Sequence, residues 1–223
     1  MTLLILAALL WVGLHIGIAG TPLRGLAVAR LGEVGFRIAF SLGSLVAIVL
    51  LVMAWRRADS TPLWFAGVEA RWILALLMLP AFVLFMASHK RNPTAIGGKG
   101  LGEEPRGIQR VTRHPMLLSF ALWAAIHMIG NGDTAALIFF GAFLVTALAG
   151  MPSIDAKLAA RHPGDWPGFA AKTSILPFAA ILSGRNSLAL GEIGWMPPVV
   201  GVILWAALLH FHRSFFGVPV LIF

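Results

Sequence analysis

Hydrophobic residues in this chain gather in long, nearly unbroken runs separated by short polar segments. Six runs stand out, at residues 2–20, 35–55, 70–87, 115–130, 134–151 and 197–216. Each can cross a bilayer as a helix, the fourth being short. The pattern predicts an all-α, polytopic transmembrane bundle of about six spanning helices, read as a single domain over residues 1–223. The first run lacks the basic leader of a signal peptide and is read as a transmembrane helix. A seventh apolar piece, Ile175 to Leu182, is too short to span and is expected to lie at the interface or re-enter.

Composition strengthens this picture. The chain is 59% hydrophobic and 12% charged, with a mean hydropathy of +0.88, whereas soluble domains are about 25% charged. The net charge of +8 would suggest nucleic-acid binding if the cations formed one solvated surface. They sit instead in short segments between apolar runs, so no nucleic-acid partner is expected, and the partner the pattern implies is the lipid bilayer.

Thirteen of the 17 Lys and Arg fall on one side if the helices alternate: Arg24, Arg30, Arg37, Lys90, Arg91, Lys99, Arg106, Arg110, Arg113, Lys157, Arg161, Lys172 and Arg185. Arg56, Arg57, Arg71 and Arg213 are left for the other. The imbalance predicts a periplasmic N-terminus and cytoplasmic long loops. The loop Ser88 to His114 is rich in turn formers, Asn92-Pro93, Gly97-Gly98, Gly100, Gly102 and Pro105, and is expected to be ordered by what it packs on. Cysteine is absent, which excludes disulfides, thiolate zinc sites, iron–sulfur clusters and cysteine catalysis within this chain.

Ionisable residues inside membrane spans mark functional sites. His15 and His127 lie well inside the first and fourth runs, each four residues after a tryptophan, Trp11 and Trp123. That spacing places indole and imidazole on one helical face. A neutral histidine beside a flat aromatic suits an axial ligand in a porphyrin pocket, and it equally suits a histidine that bridges helices by a hydrogen bond. With the expected orientation His15 lies about 10 Å nearer the cytoplasm than His127, an offset that fits ligands on opposite faces of a ring near the membrane plane.

Arg110, Arg113 and His114 precede Pro115, which is well placed as the first residue of the fourth helix. Cations at a helix N-terminus make a site for a carboxylate, phosphate or haem propionate; they also serve as topological and headgroup anchors. His89, beside Lys90 and Arg91, reads as interfacial, and His162 as a loop residue. His210 and His212 face apart on a helix and cannot share one centre. Asp133 reads as a cap for the fifth helix, while Asp155, Lys157 and Asp165 with Trp166 and Phe169 form a strip just past it. No Ser-His-Asp set, phosphate loop or paired intramembrane carboxylates is present to support hydrolysis or ATP use.

Several segments together resemble one family. These are Gly13-Leu14-His15; Arg110-Val111-Thr112-Arg113-His114-Pro115-Met116; Leu122-Trp123-Ala124-Ala125-Ile126-His127 with Gly130-Asn131-Gly132-Asp133; and Thr173 to Leu182 with Gly184-Arg185. In this combination the chain resembles the NnrU family, bacterial inner-membrane proteins associated with denitrification and with nitrite and nitric oxide reduction. Its relatives include the 15-cis-ζ-carotene isomerases, which hold a b-type haem by two histidines. The resemblance implies haem b as cofactor, His15 and His127 as axial metal ligands, Arg110, Arg113 and His114 as a cationic site for propionates or a substrate anion, and reductase components as partners. The isomerases carry a cysteine three residues before the second ligand, where this chain has Ala124, so chemistry that needs that thiolate is not implied. The Arg-His-Pro segment also resembles membrane isoprenylcysteine carboxyl methyltransferases, which use S-adenosylmethionine at cytoplasmic loops. Methyl transfer, carotenoid isomerisation and non-enzymatic reductase assembly are the alternative functions.

Overall fold

The computed structural model describes residues 1–95 and 98–221; Gly97, among the turn formers named above, lies outside them. Regular structure among the described residues is helical. All six expected spans form helices. The first is α1, Thr2–Val12, which continues through a π-helical turn, Gly13–Ile18. It is followed by α2 (Leu23–Arg56) and α3 (Val68–Ala87). A short α4 (Ile108–Val111) precedes α5 (Pro115–Asn131) and α6 (Thr134–Arg161). Two short helices, α7 (Trp166–Lys172) and α8 (Ala179–Leu182), lead to a 3-10 turn, Leu190–Glu192, and to α9 (Met196–Phe216).

Four helices, α2, α3, α6 and α9, are long and apolar enough to cross a membrane; the first helix and α5 are apolar but shorter. Large apolar side chains such as Leu42, Leu45, Ile73, Leu76 and Ile203 point outward. Faces of this kind are solvated by lipid tails, and helices then associate through close packing rather than by hiding apolar area from water. The chain is an all-α membrane protein.

Two helices run further than the hydrophobic pattern suggests. The second starts at Leu23 rather than near residue 35, because Leu23 to Leu31 already forms a helix that is joined to the span across a break at Gly32 (φ 72°, ψ 165°). The fifth span continues past Met151 to Arg161 with Pro152 inside it. The residues beyond, including Ala156, Lys157, Leu158, Ala159 and Ala160, are good helix formers, so the helix resumes after the proline. This extension lifts Asp155 onto a helix instead of leaving it in a loop.

The chain divides into two compact units, Met1–Gly67 with Ala124–Ser153 and Val68–Trp123 with Ile154–Phe223. In the first unit α1 buries Leu4, Ala7 and Ala8, an i, i+3, i+4 stripe of mostly small residues. The facing stripe of α2 carries Phe36, Ala47 and Leu51. The α5–α6 turn is fixed from both sides. Asp133 accepts from the Ala136 N–H at 2.9 Å, the cap expected of it, and from the Ser60 hydroxyl at 2.5 Å. The Leu63 and Trp64 N–H groups both donate to the Gly132 carbonyl.

In the second unit α3 and α9 pack closely. A Cβ on Gly201 would stand 3.1 Å from the Val83 nitrogen, and the Trp205 indole donates to the Ala75 carbonyl at 2.7 Å. The segment after α7 docks on α4 by its backbone. Arg113 N–H donates to Ser174, Phe178 N–H to Val111, and the Thr112 hydroxyl to Ile175. Two of the segments that carry the family likeness are thus partners of each other.

Candidate functional site

The first unit holds both intramembrane histidines. His15 sits in the π-helical turn, a local widening of the backbone spiral that is common at functional sites. Its Nδ1 lies 2.8 Å from the Trp11 carbonyl oxygen, which can only accept. Nδ1 therefore carries the proton in the neutral ring, and Nε2 is left with a lone pair. The indole of Trp11 packs on the imidazole with centroids 4.0 Å apart, as the i, i+4 spacing anticipates, and Phe40 closes on its edge at 5.3 Å.

His127 stacks on Phe140 at 4.8 Å. The two histidines belong to one aromatic chain, because Trp11 meets Phe143, Phe143 meets Phe139, and Phe139 meets Phe140, each at 4.9–5.3 Å. The phenylalanines come from one face of α6 at i, i+1 and i+4, a link that no pair spacing within helix 1 or α5 reveals.

The second unit holds the basic set, and here each cation already has a carboxylate. Arg110 grips Glu192 with two bonds, Nε to Oε2 at 2.8 Å and Nη2 to Oε1 at 2.9 Å, and adds Asn186 at 2.5 Å. Arg113 donates Nε and Nη2 to Asp155 at 2.9 and 2.5 Å, with Trp166 lying over its guanidinium at 5.7 Å. His114, with a side chain 0% exposed, donates Nε2–H to the other oxygen of Asp155 at 2.8 Å. Asp155 and Glu192 are the carboxylate partners of this set, and the hydrophobic pattern does not reveal them as such. The only signal available for Asp155 was the strip of charged and aromatic residues after the fifth run.

Two of the other histidines bond within their own stretch of chain. His89 donates to the Phe85 carbonyl of its own helix, and His212 to Val218.

The Arg110–Glu192 pair fastens α4 to the turn before α9. The Arg110 guanidinium, helped by the Gly107 N–H, holds the Glu192 carboxyl down at about 2 from its ordinary 4.5. A carboxyl depressed in the folded state adds stability above its unfolded value, and that stability is lost as pH falls through the folded value. The latch should therefore be complete above about pH 4.5 and fade toward about pH 2. Melting curves of wild type and Glu192→Gln between pH 6 and pH 3 check this. The two should converge as the pH drops, and a constant gap would show that the latch does not titrate.

The family model described as NnrU protein matches residues 3–220. The chain belongs to the NnrU family. Two chloroplastic 15-cis-zeta-carotene isomerases are similar to this NnrU-family chain. The one from Arabidopsis thaliana is 28% identical over 193 residues and the one from Zea mays 27%, each match covering 83% of this chain and 52% of the relative. The chain thus spans about half the length of the curated relatives it matches. No solved structure matches it.

Proposed function

We propose that this NnrU-family chain binds haem b in its first unit, with His15 and His127 as axial ligands, and serves nitrite and nitric oxide reduction in the bacterial inner membrane. The observation that carries the reading is the hydrogen bond from His15 Nδ1 to the Trp11 carbonyl. It fixes the tautomer with Nε2 as the donor atom, and ligating histidines ordinarily use their second nitrogen in this way. The residues present fit the group. Two imidazoles share one aromatic cluster of Trp11, Phe40, Phe139, Phe140 and Phe143, flat apolar surfaces of the kind a porphyrin packs against.

Haem b held by these two histidines would supply a one-electron couple and a site for a gas ligand. The chain's own part is to orient the two imidazoles, to fix the His15 proton on Nδ1 and to keep water away by its aromatic walls. The isomerase names of the relatives suggest a second activity, but Ala124, fully buried one turn before His127, offers no thiol where the family likeness places one. Reductase components remain the proposed partners, and a C-terminal reporter is expected to appear periplasmic, since six crossings return the chain to the side of its N-terminus.

The test is the visible spectrum of detergent-purified protein, oxidised and dithionite-reduced. Wild type should show a Soret band that His15→Ala and His127→Ala both abolish. Colourless protein from haem-supplied cells would end the proposal.

A further inference from the structure

From Met196 to Leu221 the sequence contains no acidic residue, and its basic side chains, His210, His212 and Arg213, all fall in the last two turns of α9. Val199, Val202, Ala206, Leu209 and Arg213 follow one another at steps of three and four, so they form a single stripe along the helix, with His210 beside Leu209. The stripe is about 20 Å long at 1.5 Å per residue. Val199, Val202 and Ala206 on it are exposed, so its apolar part faces lipid.

At the cationic end the chain turns back. Gly217 takes the left-handed conformation (φ 79°), the His212 Nδ1 donates to the Val218 carbonyl at 2.7 Å, and Arg71 of α3 donates to the Val220 carbonyl at 3.4 Å. The returning segment and α9 enclose a groove of about 350 Å³, lined by Ala206, Leu209, His210, Arg213 and residues 219–221. His212 and Arg71 hold this turn in place. The guanidinium of Arg213 has no hydrogen bond or ion pair among the described residues, and the His210 ring makes only a ring contact with Phe211 at 4.7 Å.

The charge count offers no topological use for these cations. Arg71 and Arg213 are two of the four on the side that alternation leaves poor in basic residues. No carboxylate lines the groove, and Glu69, the acidic residue in the first turn of α3, stands two positions from Arg71 and so faces elsewhere on its helix. A soluble phosphate would make no use of the apolar stripe, and a lipid without net charge would leave the cations unbalanced. A negatively charged amphiphile uses both, as in other basic pockets beside membrane helices.

We propose that this groove holds one anionic phospholipid, its phosphodiester on Arg213 and His210 and an acyl chain along Ala206, Val202 and Val199. The site is independent of the haem reading, because its residues lie in the second unit and none is an axial histidine.

The test is native mass spectrometry of detergent-purified protein titrated with palmitoyl-oleoyl phosphatidylglycerol or with the phosphatidylcholine of the same chains. Wild type should retain one phosphatidylglycerol, in preference to phosphatidylcholine by roughly tenfold. Arg213→Gln should weaken that binding roughly tenfold, as expected for the loss of one charge-assisted hydrogen bond. Ala206→Phe places a ring in the groove from an exposed position and should weaken both lipids. Arg57→Gln, at the C-cap of α2 and outside the groove, should bind as wild type does. Glycerol 3-phosphate in large excess should not displace the lipid. Equal retention of the two lipids, displacement by glycerol 3-phosphate, equal weakening by Arg213→Gln and Arg57→Gln, or wild-type binding by Ala206→Phe would overturn the site.

Discussion

Replacing Asp155 with alanine should be among the most damaging single substitutions in the second unit. The carboxylate accepts from three donors on two residues: Arg113 Nε, Arg113 Nη2 and His114 Nε2. Arg113 and Asp155 have side chains only 13% exposed, and His114 is fully buried. Removing the acid leaves a buried imidazole N–H with no acceptor and a buried guanidinium with only the Thr173 carbonyl, 3.3 Å from Nη1. Losing one partner of a buried pair costs about 3–5 kcal/mol, and the residual exposure places this case near about 3. For a chain of this size that corresponds to roughly 6–12 °C in Tm. Asp155→Asn, which keeps an acceptor oxygen but no charge, should fall between. A thermal melt in detergent separates the three proteins. If Asp155→Ala melts within a degree or two of wild type, the cluster is held by something other than this carboxylate.

The same residue shows where sequence reading stops. Hydrophobic runs located all six apolar helices, because in a bilayer run length alone nearly determines what crosses. Local spacing also located the Trp11–His15 contact, since residues four apart on a helix must meet. The Arg113–Asp155 and Arg110–Glu192 pairs were out of reach. They join residues 42 and 82 positions apart, and nothing periodic connects them. Pro152 hid Asp155 further, because a proline ends an apolar run on paper, whereas in α6 the helix carries on through it. Arg110, Arg113 and His114 were therefore legible as a basic group but not as one already paired with carboxylates.

The second large effect belongs to the α5–α6 turn, where Gly132→Ala should destabilise the first unit strongly. Gly132 has φ 67°, in the left-handed region, and a Cβ there would lie 2.2 Å from the Trp64 carbonyl oxygen and 2.7 Å from its indole Cδ1. Trp64 cannot step aside cheaply. Its N–H donates to the Gly132 carbonyl, and its indole donates to Ile129 at 2.8 Å. Conformational strain of about 1 kcal/mol and steric repacking of about 1–3 kcal/mol act together, so a loss of roughly 3 kcal/mol is expected. Gly32→Ala is the contact-free comparison. Gly32 also has positive φ, 72° with ψ 165°, a backbone region essentially reserved for glycine, but a Cβ there meets nothing within 4 Å, so a conformational cost of about 1–3 kcal/mol should appear with no steric part. A loss at Gly132 beyond that range is the part owed to the contact with Trp64. Equal losses would mean that backbone strain alone governs the turn. A larger loss at Gly132 would show that the loop before α3 is clamped to the helical hairpin that carries His127, so that damage to the turn should also reach the aromatic cluster around that histidine.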